Sequence, residues 1–258
     1  MHWDPTQYIR YADQRGRPFL DLTARIQHDS PRRVVDLGCG PGNLTAVLAQ
    51  RWPHAEVEGI DSSPEMIEQA HALTSGRLTF RVGDLAEWLV PQDADVVVSN
   101  ATLQWVPGHA ELLRSWATAL PTGGWLAIQV PGNFDAPSHT LMRTLARSPR
   151  WAATVGDVLR HHDSVASPIS YAELLLDAGL AVDVWETTYV HQLFGRDPVL
   201  EWVRGTGLRP VSAALSDDER VEFETEYAAA LRVAYPETEH GTLFPFRRIF
   251  AVAHKPEA

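Results

Sequence analysis

Residues 34–43 read V-V-D-L-G-C-G-P-G-N, and this stretch decides the fold. Two β-branched residues lead into three glycines spaced by two, and an apolar, helix-favouring run from Leu44 to Leu48 follows. The pattern predicts a buried strand, a tight turn and the first turn of a helix. Glycine suits such a turn because the backbone needs φ > 0 and because a ligand must approach bare backbone. The free N–H groups and positive dipole end of the helix favour the negative part of that ligand.

The glycine spacing and one carboxylate indicate which ligand the turn binds. Gly38 and Gly40 fit a dinucleotide fingerprint, but the third position of G-x-G-x-x-G holds Asn43. Asp36 adds a carboxylate at the strand end, which would repel a pyrophosphate and favour a ligand that carries an ammonium group. The string D-L-G-C-G-P-G resembles the first motif of class I S-adenosylmethionine-dependent methyltransferases, whose ligand carries both charges at its amino-acid end. A glycine-rich turn without a ligand is the alternative.

Composition narrows the class of protein. The chain has 258 residues, 45% of them hydrophobic, which is enough for one large α/β domain with insertions or for two small domains. Its formal net charge of -11 argues against nucleic acid as the main partner. Cys39 is the only cysteine, so intramolecular disulfides are excluded and a reducing compartment is expected. With no apolar run of about 20 residues and no signal peptide, the chain is expected to be soluble and cytoplasmic, without a membrane partner.

Two further carboxylates follow predicted strands. Asp61 ends the strand Ala55–Ile60, about 20 residues past the glycines, where a carboxylate can accept hydrogen bonds from ribose hydroxyls. Ser63 is expected to cap the next helix. Asp84 follows the strand 78–82 and matches the residue that accepts a hydrogen bond from the adenine amino group in this enzyme class. An ordinary turn carboxylate at Asp61 and a helix cap at Asp84 are the alternatives.

The remaining strands complete the predicted sheet. A continuous apolar strand, Ala94–Ser99, is followed by strands at Trp125–Val130, Ala181–Val190 and Arg247–Ala253. We therefore expect an α/β, Rossmann-like, doubly wound and mostly parallel seven-stranded sheet, with a helical cap inserted before the last strand. Strand ends line the ligand crevice in such sheets. The predicted cofactor-binding residues are Asp36, Gly38, Gly40, Asn43, Asp61, Ser62, Met66, Asp84, Leu85, Asn100 and Trp105.

Several segments lie outside this core. We expect a single domain with an N-terminal helical lid segment (1–30), a cofactor-binding core (31–190), a helical substrate cap (191–246) and a last strand (247–258). The aromatic leading segment covers either the core or the ligand. The pattern at 170–173 predicts the start of a helix, and Ser216 is expected to cap another. His161-His162-Asp163 has no further ligand at recognisable spacing, so it is predicted to be a solvated loop and no metal is expected.

The chain resembles the trans-aconitate 2-methyltransferase family along nearly its full length. The stretches that carry this resemblance are W-D-P-T-Q-Y (3–8), R-G-R-P (15–18), D-L-G-C-G-P-G-N (36–43), G-I-D-S-S-P-E-M (59–66), S-N-A-T-L-Q-W (99–105), T-T-Y-V-H-Q (187–192), W-V-R-G-T-G-L-R-P (202–210) and F-R-R-I-F (246–250). The glycine-rich, Asp61 and Asp84 stretches specify only the cofactor, S-adenosylmethionine. The resemblance implies methyl transfer to one carboxylate of trans-aconitate, giving a monomethyl ester and S-adenosylhomocysteine.

The implied chemistry needs positioning rather than a base. A carboxylate is already ionised at neutral pH, so its oxygen can attack a methyl carbon directly. No catalytic residue beyond positioning is predicted, with Tyr8 and His191 as the alternatives. Holding a trianion on an acidic protein calls for arginines, which bind carboxylates bidentately. The predicted substrate-binding residues are Tyr8, Arg15, Arg17, Trp105, His191, Arg209 and Arg248.

Two other functions remain open from the sequence. The first is carboxyl methylation of a different acid, such as a malonyl thioester on a carrier protein. The second is a non-catalytic module that binds S-adenosylmethionine. A small polycarboxylate substrate is the reading that the resemblance favours.

Overall fold

The structure is a computed structural model that describes residues 12–159 and 164–257, with side chains from residue 16 onward. The described residues form two compact units. The first comprises the chain up to Val130, Ala166–Glu186 and the chain from Ile249 onward. The second comprises Pro131–Val165 and Thr187–Arg248.

Five parallel strands form one side of the sheet. They are β1 (Arg33–Leu37), β2 (Glu56–Asp61), β3 (Leu78–Val82), β4 (Val96–Asn100) and β5 (Trp125–Pro131), in the spatial order β3-β2-β1-β4-β5. The chain runs outward from β1 to β3 and then returns to β4 on the other side of β1. The strand order therefore reverses between β1 and β4, and this is where open α/β sheets bind ligands.

The other side of the sheet is formed by β8 (Gly241–His254) next to β5 and by β6 (Ala181–Leu193) at the edge. Backbone bonds join Lys255 to Gly124 and Gly132 to Arg247, so β8 runs antiparallel to β5. A two-residue strand, β7 (Glu237–Thr238), pairs with β8 outside the seven-strand path. The predicted mostly parallel α/β fold is confirmed.

Helices occupy most of the connections. They are α1 (Ala12–Thr23), α2 (Asn43–Arg51), α3 (Pro64–Ala70), α4 (His109–Ala119), α5 (Pro137–Ala146), α6 (Ala152–Val155), α7 (Pro168–Asp177), α8 (Pro198–Arg204), α9 (Arg209–Ala214) and α10 (Asp217–Ala234). Short 3₁₀ turns lie at His71–Leu73 and Leu103–Trp105. Among the described residues, no helix is both long enough and apolar enough to cross a membrane.

Helix starts follow capping chemistry, with one correction. Ser63 accepts a hydrogen bond from the Met66 amide, and Ser216 forms a capping box, as predicted. The pattern at 170–173 does not begin a helix. α7 begins at Pro168, because Ser167 accepts the bond from the Ser170 amide and proline suits the first helical position.

The second unit has its own core. Tyr227 on α10 donates a hydrogen bond to the Ser138 carbonyl (2.5 Å), and the Ser138 amide donates to the Tyr235 hydroxyl (3.0 Å). These bonds join α10 to the start of α5. An aromatic cluster around Trp202 and Phe246 fills the rest of this core.

Candidate functional site

The three glycines of the turn after β1 differ in what surrounds them. All three have positive φ: 79° at Gly38, 55° at Gly40 and 81° at Gly42. A Cβ at Gly38 would lie 2.1 Å from the Thr102 hydroxyl oxygen, and one at Gly42 would lie 2.7 Å from the Phe80 ring. A Cβ at Gly40 would meet nothing within 4 Å. Gly38 and Gly42 are thus required by packing, whereas Gly40 presents bare backbone to open space.

Asp61, at the end of β2, is hydrogen-bonded to the glycine-rich turn. Its carboxylate accepts hydrogen bonds from the Gly40 amide and from the Ser63 amide, both at 2.9 Å. Burial raises the pKa of Asp61, and the backbone hydrogen bonds partly offset that effect. A carboxylate has more lone pairs than these two bonds use, so it can still accept hydroxyl donors from a ligand. The contact of Asp61 with ribose stays a prediction.

Asp36 is a buried carboxylate at the end of β1. It is 3% exposed and accepts a 2.6 Å hydrogen bond from the Thr45 hydroxyl. Burial raises its pKa to about 7; the Thr45 bond lowers it and the nearby charge of Asp61 adds to the rise. A cationic ligand group would stabilise the ionised form of both acids. The Asp36 carboxylate therefore suits an ammonium-bearing ligand.

Asn100 offers a buried acceptor at the end of β4, the strand next to β1. Its Oδ1 is buried and has no hydrogen-bond partner among the described residues. The backbone at Ala101 has φ 54°, a left-handed conformation that is uncommon for alanine. Buried polar atoms are rarely left unsatisfied, and strained backbone clusters at ligand sites. A ligand with a hydrogen-bond donor would satisfy Asn100.

The other predicted cofactor residues differ in how exposed they are. Asp84 is exposed and its Oδ1 accepts a hydrogen bond from the Ala86 amide (2.9 Å). Met66 and Leu85 are buried, Asn43 and Ser62 are exposed, and Trp105 is half-buried. Hydrogen bonds connect Asp61 to the glycine-rich turn directly, whereas Asp84 follows β3, two strands from β1. The roles of these residues in cofactor binding stay predictions.

Sequence reasoning missed Thr45 and Thr102. Thr45 lies in the first turn of α2 and fixes the Asp36 carboxylate. The Thr102 hydroxyl contacts the Gly38 and Asn100 carbonyl oxygens at 3.4 and 3.1 Å. A polar residue within the apolar run 44–48 was the available signal for Thr45. The position of Thr102 against Gly38 depends on the fold and has no local signal.

Predicted substrate residues lie in the second unit at three places. Arg248 on β8 is 7% exposed, and its guanidinium carbon lies 4.5 Å from the centroid of the Phe246 ring. Arg209 is half-buried and begins α9. His191 is buried and stacks on Trp202, with ring centroids 4.5 Å apart. A buried arginine keeps its charge. The roles of Arg248, Arg209 and His191 in substrate binding stay predictions.

The remaining substrate candidates differ from these. The Arg17 side chain on α1 is 70% exposed, and its Nε atom lies 4.0 Å from Oδ2 of Asp21. Tyr8 and the side chain of Arg15 lie outside the described residues, as does the sequence 161–163. Within the described part of the chain, no group of three His, Cys, Asp or Glu residues could hold a metal ion.

We expect Gly40→Ala to weaken cofactor binding by about tenfold while lowering Tm only slightly. The left-handed backbone costs alanine roughly 1 kcal/mol, and the new methyl group meets no protein atom. Gly38→Ala is the matched control, since its methyl group collides with Thr102 and should lower Tm much more. Calorimetric titration with S-adenosylhomocysteine and thermal melts measure the two effects. Unchanged affinity in Gly40→Ala would remove this backbone from the site.

Comparison with known proteins agrees with this geometry. A family model described as a methyltransferase domain matches residues 9–184. The chain is 56% identical to a trans-aconitate 2-methyltransferase of Streptomyces avermitilis, covering 98% of this chain and 97% of that protein. It is 58% identical to one of Rhodococcus jostii, covering 97% and 98%.

Among solved structures, a phosphoethanolamine N-methyltransferase 2 of Haemonchus contortus in complex with S-adenosyl-L-methionine matches with a TM-score of 0.54. The match has 19% identity and covers 93% of this chain and 53% of that one, so it supports the fold alone. The two curated relatives, by contrast, are aligned through both units at more than half identity. The chain belongs to the trans-aconitate 2-methyltransferase family.

Proposed function

We propose that the protein transfers the methyl group of S-adenosylmethionine to one carboxylate of trans-aconitate, giving the monomethyl ester and S-adenosylhomocysteine. The observation that carries this proposal is the identity to the Streptomyces and Rhodococcus enzymes over 97–98% of the chain. The similarity extends through the second unit, which holds Arg209 and Arg248, and is not confined to the cofactor motifs.

The chain's own residues suit the cofactor. Asp36 provides negative charge for the ammonium end, Asp61 provides acceptor oxygens for the ribose hydroxyls, and Asn100 provides a buried acceptor. Gly40 lets the ligand approach the backbone. When bound, S-adenosylmethionine supplies a methyl group that its sulfonium makes electrophilic. The protein binds and orients this donor, and we assign no proton transfer to these residues.

The substrate side requires positive charge and alignment. In this proposal Arg248 and Arg209 neutralise substrate carboxylates, and His191 is a further substrate-binding residue of the second unit. Trp105, in the first unit, stays a predicted substrate residue. The attacking carboxylate is already ionised, so alignment of its oxygen with the methyl carbon supplies most of the rate enhancement. Residues 191–246 form the substrate cap in this proposal, with residues 1–30 as the lid. Such segments exclude water when they close.

A methyl-transfer assay with labelled cofactor across di- and tricarboxylic acids tests the proposal. We expect trans-aconitate to give the highest kcat/KM, with cis-aconitate and isocitrate lower, and the product to be a base-labile monoester. Methylation of none of these acids would overturn the assignment. Methylation of a malonyl thioester on a carrier protein instead would support the other carboxyl methyltransferase reading.

At saturating cofactor and substrate, kcat is expected to be nearly constant from about pH 6 to 8. The nucleophile's pKa lies near 4, well below this range, so its charge does not change. Steady-state kinetics with both ligands held at least tenfold above KM at each pH gives the profile. A steep rise around pH 7 would contradict the base-free mechanism and point to proton removal by a residue such as His191.

A further inference from the structure

Asn133 holds an unsatisfied donor in the second unit. It lies in the loop after β5 and is 2% exposed. Its Oδ1 accepts a 2.6 Å hydrogen bond from the Arg247 amide, and its backbone carbonyl accepts one from the Ala136 amide at 2.9 Å. Its side-chain nitrogen, Nδ2, is buried and has no hydrogen-bond partner among the described residues. The side-chain oxygen therefore has a hydrogen-bond partner, whereas the side-chain nitrogen has none among the described residues.

The orientation of this amide is fixed by its partner. Turning the group over would place its NH₂ against the N–H of Arg247, two donors facing each other, so the oxygen must face Arg247. The Nδ2 group can therefore only donate. A buried donor without an acceptor is costly and rare, and each such group requires an explanation.

Two other unsatisfied donors, both indole N–H groups, have a structural explanation that Asn133 lacks. The Nε1 atoms of Trp116 and Trp151 are also buried without a partner among the described residues. Both indoles pack edge-to-face on aromatic rings, Trp88 and Phe223 respectively, so their large apolar surface explains their burial. Asn133 brings almost no apolar surface, and its buried amide requires an acceptor from outside the described residues.

The neighbourhood of Asn133 indicates which acceptor that is. The Gly132 amide donates to the Arg247 carbonyl (2.9 Å), and the Arg247 guanidinium donates back to the Gly132 carbonyl (3.3 Å). With the Asn133 bond, these contacts fasten the loop to β8 at the residue next to Arg248. Arg248 carries a buried guanidinium, and Asn133 is hydrogen-bonded to its neighbour Arg247. A cation and a neutral N–H donor of this kind suit a carboxylate.

We infer that Asn133 is a substrate-binding residue whose side-chain N–H donates a hydrogen bond to one carboxylate of the polycarboxylate substrate. This inference rests on the proposed function. Arg248 supplies charge and attracts every carboxylate, whereas a single fixed N–H selects the position of one. Asn133 therefore determines which carboxylate pattern is accepted. Asn100, with an unsatisfied acceptor, suits a donor group of the cofactor in the same way.

Asn133→Asp tests this assignment. Aspartate keeps an oxygen for the Arg247 amide but replaces the donor with an oxygen that repels a carboxylate. At pH 8 we expect the KM for trans-aconitate to rise at least 30-fold, with the affinity for S-adenosylhomocysteine within threefold of wild type. Titration of trans-aconitate into the S-adenosylhomocysteine complex measures the same loss without turnover.

Substrate truncation separates a direct contact from a structural defect. Methylenesuccinate, glutaconate and methylfumarate each lack a different one of the three carboxylates. For the acid that lacks the contacted carboxylate, wild type and Asn133→Asp should differ less than threefold, while the other two acids should show the full loss. Asn133→Ser removes the amide without adding charge and should give the same selective pattern, so it serves if the aspartate variant does not fold.

Gln92→Glu is the matched control, because it makes the same amide-to-acid change at an exposed position outside the residues assigned to cofactor or substrate. Its KM should equal that of wild type. Equal losses for all substrates, or an unchanged KM in both Asn133 variants, would overturn the assignment of Asn133 alone. If wild type neither methylates nor binds any of these acids, the proposed function fails, and the inference about Asn133 fails with it.

Discussion

Asp36→Asn is expected to make the ligand-free protein more stable at pH 8 and to weaken cofactor binding at the same time. Asp36 is buried, and its pKa is raised from 3.8 to about 7 mainly by burial. At 1.36 kcal/mol per pH unit, this shift corresponds to roughly 4 kcal/mol of stability. Asparagine keeps an acceptor for the Thr45 hydroxyl without the buried charge.

The pH dependence of this gain has a definite sign. Between pH 4 and 7 the folded protein holds a proton on Asp36 that the unfolded chain has lost, so wild-type stability falls as pH rises. Above pH 7 both states are ionised and the penalty is complete. The Tm advantage of Asp36→Asn should thus be several degrees at pH 8 and about half as large near pH 5.5. Thermal melts from pH 5 to 8 measure it.

Cofactor affinity should change in the opposite direction. An ammonium group gains a charge-assisted hydrogen bond from ionised Asp36, so its loss should weaken S-adenosylmethionine binding about 10- to 100-fold. In wild type the affinity should rise about tenfold from pH 6 to 8 as Asp36 ionises, because its pKa is about 7. This dependence should vanish in the variant. Calorimetry in buffers of different ionisation enthalpy detects the proton released on binding.

The matched control is Asp93→Asn, an exposed carboxylate paired with Arg33. It should change neither Tm nor cofactor affinity appreciably, since exposed ion pairs contribute little. If Asp36→Asn gained stability yet bound cofactor as tightly as wild type, Asp36 would be a strained structural acid and not a ligand. A loss of both properties would contradict the assigned pKa shift.

The parallel sheet was predictable because its signals are local. Each strand combines an apolar run with a turn or cap directly after it, and the glycine-rich turn fixes where β1 ends. The last strand was predicted to begin six residues too late, at Arg247 instead of Gly241. Proline within a run argues against a strand, and Pro245 interrupts the run at 242–246. β8 continues through Pro245, whose side chain is exposed.

Neither α5 nor the role of Asn133 could be predicted from local sequence signals. The residues that α5 buries are Ser138, Met142 and Ala146, whose helical spacing is hidden because two of them are small or polar. Asn133 is a loop amide with no motif around it. Its fixed orientation depends on Arg247, 114 residues further along the chain. Sequence patterns predict residues whose role depends on their neighbours in the chain, and no such pattern surrounds Asn133.

Arg248→Met is expected to raise the KM for trans-aconitate at least 30-fold. Arg248 is 7% exposed on β8, and its guanidinium carbon lies 4.5 Å from the centroid of the Phe246 ring. Truncating one member of a buried charge pair typically costs roughly 2–5 kcal/mol, because the partner, here a substrate carboxylate, loses its counter-charge. Cofactor affinity should stay within threefold of wild type, since the glycine-rich turn and Asp36 are untouched.

The choice of methionine separates binding from folding. The methionine side chain keeps an apolar contact with Phe246, and a thermal melt of the variant reports folding separately from the loss of substrate affinity. Lysine at the same position should recover only part of the loss, because it restores charge without the planar fork. Arg196→Met is the control, since that side chain is 92% exposed in the same unit and should leave KM unchanged. If Arg248→Met bound trans-aconitate like wild type, substrate charge would have to be met by Arg209, and the buried arginine would serve only the core of the second unit.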